Sequence, residues 1–296
     1  MQKWHYLVPI KDLSEPISIK EYLKKYLLIP KHFIYPLRRK KRVLVNQKYI
    51  TMNSLVNNSD AIDLTFIEDD FTLPVQNLIA DDSHSIDVLY EDDDILVVNK
   101  PAGYKTHPNQ PGEVNTVLNF CEEYLNQKNQ HAYMIHRLDQ QTSGALIVGK
   151  NPVVVPILVR LIKDKVINRI YTAVVDGQFK QLNGVIESSI GLDPDDKRKR
   201  KIDGANPLSA KTAYQVLSTT EQHSIVQLKL FTGRTHQLRV HLASINHPIV
   251  GDPLYGQNLN NQQMLLHSTQ LHLVRPFYFD TIDINAPLPN QFNQYM

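Results

Sequence analysis

Short apolar runs bounded by turn residues constrain this chain more than any other feature. Ile95-Leu96-Val97-Val98, Ala145-Leu146-Ile147-Val148, Ile170-Tyr171-Thr172-Ala173-Val174-Val175 and Ile225 to Phe231 are rich in residues suited to a pleated, buried surface. Ile86 to Tyr90, Val185 to Ile190 and Thr212 to Leu217 add further strand candidates. Helical patterning is confined to Val117–Leu125, Ile157–Lys165 and Gln237–Asn246 in this part of the chain. Many strands with few helices predict an α+β domain built on a mixed, mostly antiparallel sheet.

A length of 296 residues suffices for one large core and a small additional module. The only cysteine, Cys121, excludes intrachain disulfides and Cys-rich zinc sites, and fits a reducing compartment. No apolar run reaches membrane-spanning length, and Met1-Gln2-Lys3-Trp4-His5 carries no signal-peptide pattern, so a cytoplasmic location without membrane association is expected. The formal net charge is only +2. Its clustering is more informative than its size.

Residues 1–67 are expected to form the small module, 68–84 a linker and 85–296 the large domain. In the first, Ser18-Ile19-Lys20-Glu21 has the form of a capping box. Tyr22, Leu23, Tyr26 and Leu27 then share one helical face, and Pro30 suits the first turn of a second helix. That helix ends in Arg38-Arg39-Lys40-Lys41-Arg42. Val43-Leu44-Val45, a turn at Asn46-Gln47 and Tyr49-Ile50-Thr51 suggest a hairpin, and Ile62 to Phe66 alternates as a strand. Two helices with a basic end, followed by Val-x-Val-Asn, resemble the alpha-L RNA-binding motif over Ser18 to Phe66. The resemblance implies that Arg38, Arg39, Lys40, Lys41 and Arg42 contact RNA; in isolation such a run is a solvated helix end. Two glycines usual in that motif are replaced here, by the basic residues before Val43 and by Ser59 before Asp60. A second basic run, Lys197 to Lys201, is expected in a loop.

Neither a Gly-x-x-x-x-Gly-Lys phosphate loop nor Gly-x-Gly-x-x-Gly after a strand is present, which argues against a nucleotide cofactor. His-Glu-x-x-His is also missing. His236 and His241, five residues apart, fall on different faces of a helix, and no metal is expected. Chemistry is then sought in His136-Arg137-Leu138-Asp139-Gln140-Gln141-Thr142-Ser143-Gly144, just before an apolar run. Asp139 is either a cap of the turn through Thr142 or Ser143, or an ionisable group at the mouth of the sheet. Phe231 to His241 passes from a strand through Gly233 into a helix whose amides and arginines suit an anion. Arg234 and Arg239 point in different directions, so only one can reach a given partner.

Taken together, His-Arg-Leu-Asp-x-x-Thr-Ser-Gly, Arg169-Ile170-Tyr171 and Gly-Arg-Thr-His-Gln-Leu-Arg-Val-His resemble, in order and spacing, the active-site motifs of the RluA-like pseudouridine synthases. Asp93 to Gly103 and His247 to Gly256 extend the resemblance, which covers Val88 to Leu273. It implies the pseudouridine synthase fold and isomerisation of uridine in RNA without metal or cofactor. It makes Asp139 the essential carboxylate, either attacking the anomeric carbon or removing the 2′ proton. Arg239 is implied as its ion-pair partner, Tyr171 as the residue stacking on the target base, and Arg137 as the group filling the place of a flipped nucleotide. Arg234 is then left to a phosphate, and His136 and His236 to the bound strand. A monomer acting on structured RNA is expected, with large-subunit ribosomal RNA as substrate and transfer RNA as the alternative. A catalytically dead RNA-binding relative would have lost Asp139, Tyr171 or Arg239, and a glycosidase would need paired carboxylates.

Overall fold

The computed structural model describes residues 2–71, 78–256 and 263–296. Its first part contains β1 (Lys3–Pro9), β2 (Ile17–Ser18), α1 (Ile19–Glu21), α2 (Lys31–Arg39), β3 (Val43–Val45), β4 (Leu55–Val56) and β5 (Ala61–Ile67). Then follow β6 (Val88–Glu91), β7 (Ile95–Lys100), α3 (Val117–Asn126), β8 (Tyr133–Met134), β9 (Ser143–Gly149), α4 (Val155–Lys163) and β10 (Asn168–Asp176). The remainder comprises β11 (Asn183–Glu187), β12 (Ile190–Leu192), β13 (Arg200–Ile202), β14 (Ala205–Leu208), β15 (Lys211–Thr219), β16 (His223–Leu230), α5 (Gln237–Ser244), β17 (Leu266–Val274) and β18 (Thr281–Asn285).

The large sheet has the order β11-β15-β16-β10-β17-β9-β7-β6, with β18 on β17 and β8 on β9. Among the described residues its one parallel contact joins β9 to β17, where Ser143 and Gly144 lie beside His267 and Ser268. The other pairings are antiparallel. Ile95, Val97 and Ile147 enter one core, whereas Leu96, Val98, Leu146 and Val148 enter another on the opposite face. This two-sided burial explains why both runs are apolar at consecutive positions instead of alternating. Each fully buried Leu or Ile contributes about 1.5–3 kcal/mol.

The first core is continuous with that of the N-terminal part, whose sheet has the order β1-β5-β3. Tyr6 stacks on Phe277 with ring centroids 3.9 Å apart and donates to Asp94 Oδ1 at 2.7 Å. Asn151 Nδ2 donates to the same carboxylate oxygen at 2.6 Å. Burial raises the pKa of Asp94, against the opposing effect of these two donors. A buried carboxylate with two donors from separate parts of the chain resists their separation. Of the stretch expected to be a linker, Glu68–Asp70 is a 3-10 turn beside β5 and residues 72–77 lie outside the described residues. At its other end, Asn119 Nδ2 donates to the Ile79 carbonyl and the Asn115 amide to Asp81, so this segment packs on α3.

Several local expectations need correction. Ser18 Oγ accepts the Glu21 amide at 3.3 Å, but the Glu21 carboxylate pairs with Lys25 and leaves half of the capping box unmade. Asn46 and Gln47 make the turn, with φ of 50° and 66°, yet Tyr49–Thr51 does not return as a strand. The Asn46 side chain instead bonds Asp60 and the Ala61 amide, and β3 pairs with β5. Arg200 and Lys201 lie in β13, not in a loop. Among the described residues, no helix is long and apolar enough to cross a membrane.

Candidate active site

Asp139 sits on a turn fastened at both ends. Thr106 Oγ1 accepts the Leu138 amide at 3.1 Å and donates to the Leu138 carbonyl at 2.7 Å. The Thr142 amide donates to the Asp139 carbonyl, and the Gly103 amide to that of Gln140. After the turn Gly144 adopts φ +105°, where an added Cβ would lie 2.3 Å from the Ser268 carbonyl oxygen. Only glycine permits this approach of β9 to β17. Among the described residues the Asp139 carboxylate bonds neither Thr142 nor Ser143; the turn expected to be capped by it is closed by the backbone instead.

Across from Asp139 stands Arg239, which α5 presents and which is only 3% exposed. Its Nη1 lies 3.4 Å from Asp139 Oδ2. Closer contacts go to Asp252, where Nε and Nη2 reach the two carboxylate oxygens at 2.7 Å each. Asp252 is fully buried, and its Oδ1 also accepts the Leu254 and Tyr255 amides. Burial opposes the charge on Arg239, but Asp252 and then Asp139 outweigh it and raise its pKa. The guanidinium also lies over the Tyr255 ring at 5.1 Å. The Tyr255 hydroxyl accepts the Arg200 amide and bonds His236 Nδ1 at 3.0 Å. His236 Nε2 is 4.0 Å from Asp139; burial lowers the pKa of this imidazole, with Asp139 acting in the opposite direction.

Asp139 lies where two cavities meet, one of about 650 Å³ and one of about 320 Å³. Among the described residues in the wall of the larger, Asp139 is the only carboxylate, set among the cations Arg137, Lys163, Lys165, Arg169, Arg234 and Arg239. Tyr171 also lines it, from a bulge in β10, and is 3% exposed because its ring belongs to the second core as well. Burial, then Arg169 and Arg234, lowers the pKa of Lys165, the mark of crowded positive charge.

The structure thus brings together Asp139, Tyr171, Arg239, Arg137, Arg234 and His236 from three distant motifs. Arg137 is exposed, and Arg234 Nε donates to the Ser209 carbonyl. His136 borders the cavity but is engaged structurally: its Nε2 accepts the Ile147 amide, and burial holds its pKa well below the usual value. In the other basic cluster, Arg38, Arg39, Lys40 and Lys41 are exposed. Arg42 parts from them, turning inward to a two-pronged pair with Asp70 at 2.6 and 2.7 Å. Asp252, Tyr255, Lys163 and Lys165 had no assigned role from sequence. Asp252 and Tyr255 were visible there only as members of the His247 to Gly256 flank.

Residues 94–244 match the family model described as RNA pseudouridylate synthase, and residues 6–62 match the RluD ribosomal pseudouridine synthase N-terminal domain. The chain belongs to the RluA-like RNA pseudouridine synthases. An uncharacterized RNA pseudouridine synthase of Bacillus subtilis is 34% identical to this synthase over 273 residues, 90% of this chain and 88% of the relative. The ribosomal large subunit pseudouridine synthase D of Neisseria meningitidis serogroup B is 36% identical over 70% of this chain and 59% of its own length. Human RNA pseudouridylate synthase domain containing 1 superposes with a TM-score of 0.59 at 28% identity, covering 69% of this chain and 84% of the human one. The family establishes the synthase as an isomerase acting on uridine in RNA.

In this synthase the ion pair to Asp252 carries Arg239. Asp252→Ala leaves the guanidinium buried beside one distant carboxylate. Its unfolding free energy, measured by urea denaturation, should fall by about 3–5 kcal/mol, with turnover reduced in the folded fraction. Unchanged stability would remove Asp252 from this role.

Proposed function

We propose that this synthase isomerises uridine in large-subunit ribosomal RNA by flipping the target nucleotide into the cavity at Asp139. The observation that carries this reading is the solitary carboxylate in a wall of cations, with Arg239 against its Oδ2. A cationic wall suits a polyanion, and one carboxylate lacks the partner that glycoside hydrolysis requires. Asp252 does not supply that partner, because both its oxygens are engaged by Arg239.

Uridine in folded RNA is stacked, so its sugar reaches Asp139 only after leaving the helix. Arg137, exposed beside the carboxylate, takes the vacated place, and Arg234 meets a phosphate. Tyr171 offers the base an aromatic face, and its hydroxyl supplies a polar tip for proton transfer. His136, just before the catalytic turn, holds the strand β9 that follows it, and His236 lines the bound nucleotide's path. Asp139 acts at the sugar. Attack at the anomeric carbon and removal of the 2′ proton both use an ionised carboxylate in this place, next to a guanidinium that stabilises it. Asp139→Asn should abolish pseudouridine formation while leaving RNA affinity nearly unchanged; product formed by a clean preparation of that variant would sink this assignment.

Residues 1–67 serve as the RNA-presenting domain and 85–296 as the catalytic domain of a cytoplasmic monomer, joined through 68–84. Arg38, Arg39, Lys40 and Lys41 form the outer contact, with Tyr35 and Tyr49 exposed among them. Arg38 lies 5.7 Å from the Tyr35 ring and Lys41 5.3 Å from that of Tyr49. Such a face combines phosphate attraction with rings on which unpaired bases can stack. Arg42 is left out of that contact, because Asp70 occupies it. Replacing the four exposed cations by Ala should flatten the dependence of log affinity on log salt by up to about 0.7–0.9 for each lost phosphate contact. An unaltered slope would take this face out of the interface.

Support for the ribosomal substrate comes from the similarity of residues 6–62 to the RluD ribosomal pseudouridine synthase N-terminal domain and of the chain to the Neisseria large-subunit synthase. Pseudouridine mapping of total RNA, with and without the gene for this protein, should show a loss in large-subunit ribosomal RNA. A loss confined to transfer RNA would redirect the substrate, and no loss would favour a catalytically inactive RNA-binding relative.

A further inference from the structure

We propose that His236 is a catalytic hydrogen-bond donor: its imidazole presents Nε2–H to the nucleotide where base and sugar join, and Tyr255 fixes the tautomer that makes this possible. The proposal rests on the reading of Asp139 as the group acting at the sugar. His236 immediately precedes α5, and its backbone is left-handed, with φ of 57° and ψ of 18°. Few residues other than glycine adopt this conformation unless their surroundings hold it. One such hold is the Tyr255 hydroxyl, 3.0 Å from Nδ1, whose ring stands nearly perpendicular to the imidazole.

The same hydroxyl accepts the Arg200 amide at 2.7 Å. That amide can only donate, so the phenol proton is left for His236. Donation of this proton to Nδ1 is the arrangement that uses every group, and it makes Nδ1 the acceptor. An uncharged imidazole then carries its own proton on Nε2. Nε2 lies 4.0 Å from Asp139 Oδ2, where the two cavities meet. The charged groups around the ring are Asp139 of the turn, Arg239 of α5, Asp252 after it and Arg200 of β13. Burial lowers the pKa of His236; Asp139 and Asp252 oppose this, while Arg239 and Arg200 add to it. The ring is therefore mostly uncharged near neutral pH.

With Asp139 at the sugar, a donor this close to its carboxylate reaches the uracil O2, the carbonyl beside the glycosidic nitrogen. Isomerisation breaks C1′–N1, forms C1′–C5 and moves, in net, the C5 proton to N1. Between the two bonds the electron pair of the broken one resides on the uracil ring, and O2 gains negative charge. An N–H fixed at that oxygen stabilises this state more than the starting nucleotide. His236 gives up no proton in the process.

Total RNA from cells lacking the gene, tritiated at uridine C5, reads turnover as released tritium without a choice of RNA. His236→Leu should lower kcat on the order of 10²-fold while RNA affinity changes by less than about twofold. His236→Gln, whose amide can place an N–H near the Nε2 position, should recover at least about tenfold of that loss. Wild-type turnover in folded His236→Leu, or equal turnover in the two folded variants, would overturn the proposal. Heteronuclear NMR of wild-type protein with nitrogen-labelled histidine reads the tautomer directly. Nδ1 should be bare and Nε2 protonated, and Tyr255→Phe should move Nδ1 towards its protonated form. A proton on Nδ1 in the wild type overturns the proposal whether or not His236→Leu folds. Asp139→Asn measured in parallel separates the two readings: product there defeats the catalytic carboxylate, whereas full activity only in His236→Leu defeats the donor role.

Discussion

Arg239 links the turn carrying Asp139 to the rest of the large domain through two carboxylates that it holds differently. Asp252, fully buried and met by both prongs of the guanidinium, fixes where the charge lies. Asp139, half-buried and reached only by Nη1 at 3.4 Å, shares that charge while keeping its other oxygen without a hydrogen-bond partner among the described residues. A guanidinium bound equally tightly by Asp139 would lock the carboxylate away from substrate. Unbound, it would be an isolated charge in a closed site, which low dielectric penalises severely. The asymmetry leaves Asp139 more loosely held than Asp252.

The sheet supplies the position at which this is achieved. Strands β9 and β17 run parallel side by side, and the turn carrying Asp139 enters β9 at that contact. Gly144 allows the backbones to meet there, while β10 places Tyr171 beside the same β17 strand, opposite Ser268. Three chain segments remote in sequence therefore converge there. Interior packing resists shifts in such an arrangement, so small changes beneath the turn are felt at the carboxylate.

The N-terminal part is joined to this scaffold by a continuous core and by Tyr6 on Asp94 and Phe277. Its exposed cations are thus presented at a set place relative to the cavity. Arg42 illustrates how charge in a sequence divides between tasks. Four members of one basic run face solvent, and the fifth is committed to Asp70, within the closing turn after β5.

By itself the sequence determined the short-range features: the strands, whose buried runs are apolar; α5 after Gly233; the turn at Asp139; and the three motifs carrying Asp139, Tyr171 and Arg239. These are legible because each depends on residues close together in the chain. Strand β17 was not anticipated, since its run of His267, Ser268, Thr269 and Gln270 has the polarity of a loop, and it is the neighbouring strands that bury His267 and Ser268. The return of Tyr49–Thr51 as a strand failed because Asn46 found partners at Asp60 and Ala61, a competition local pattern cannot weigh. Only the tertiary structure decided that Asp252 holds Arg239, that Arg42 leaves the basic face, and that Tyr255 meets His236. Each is a long-range choice between partners, and burial, which no single segment encodes, settles it.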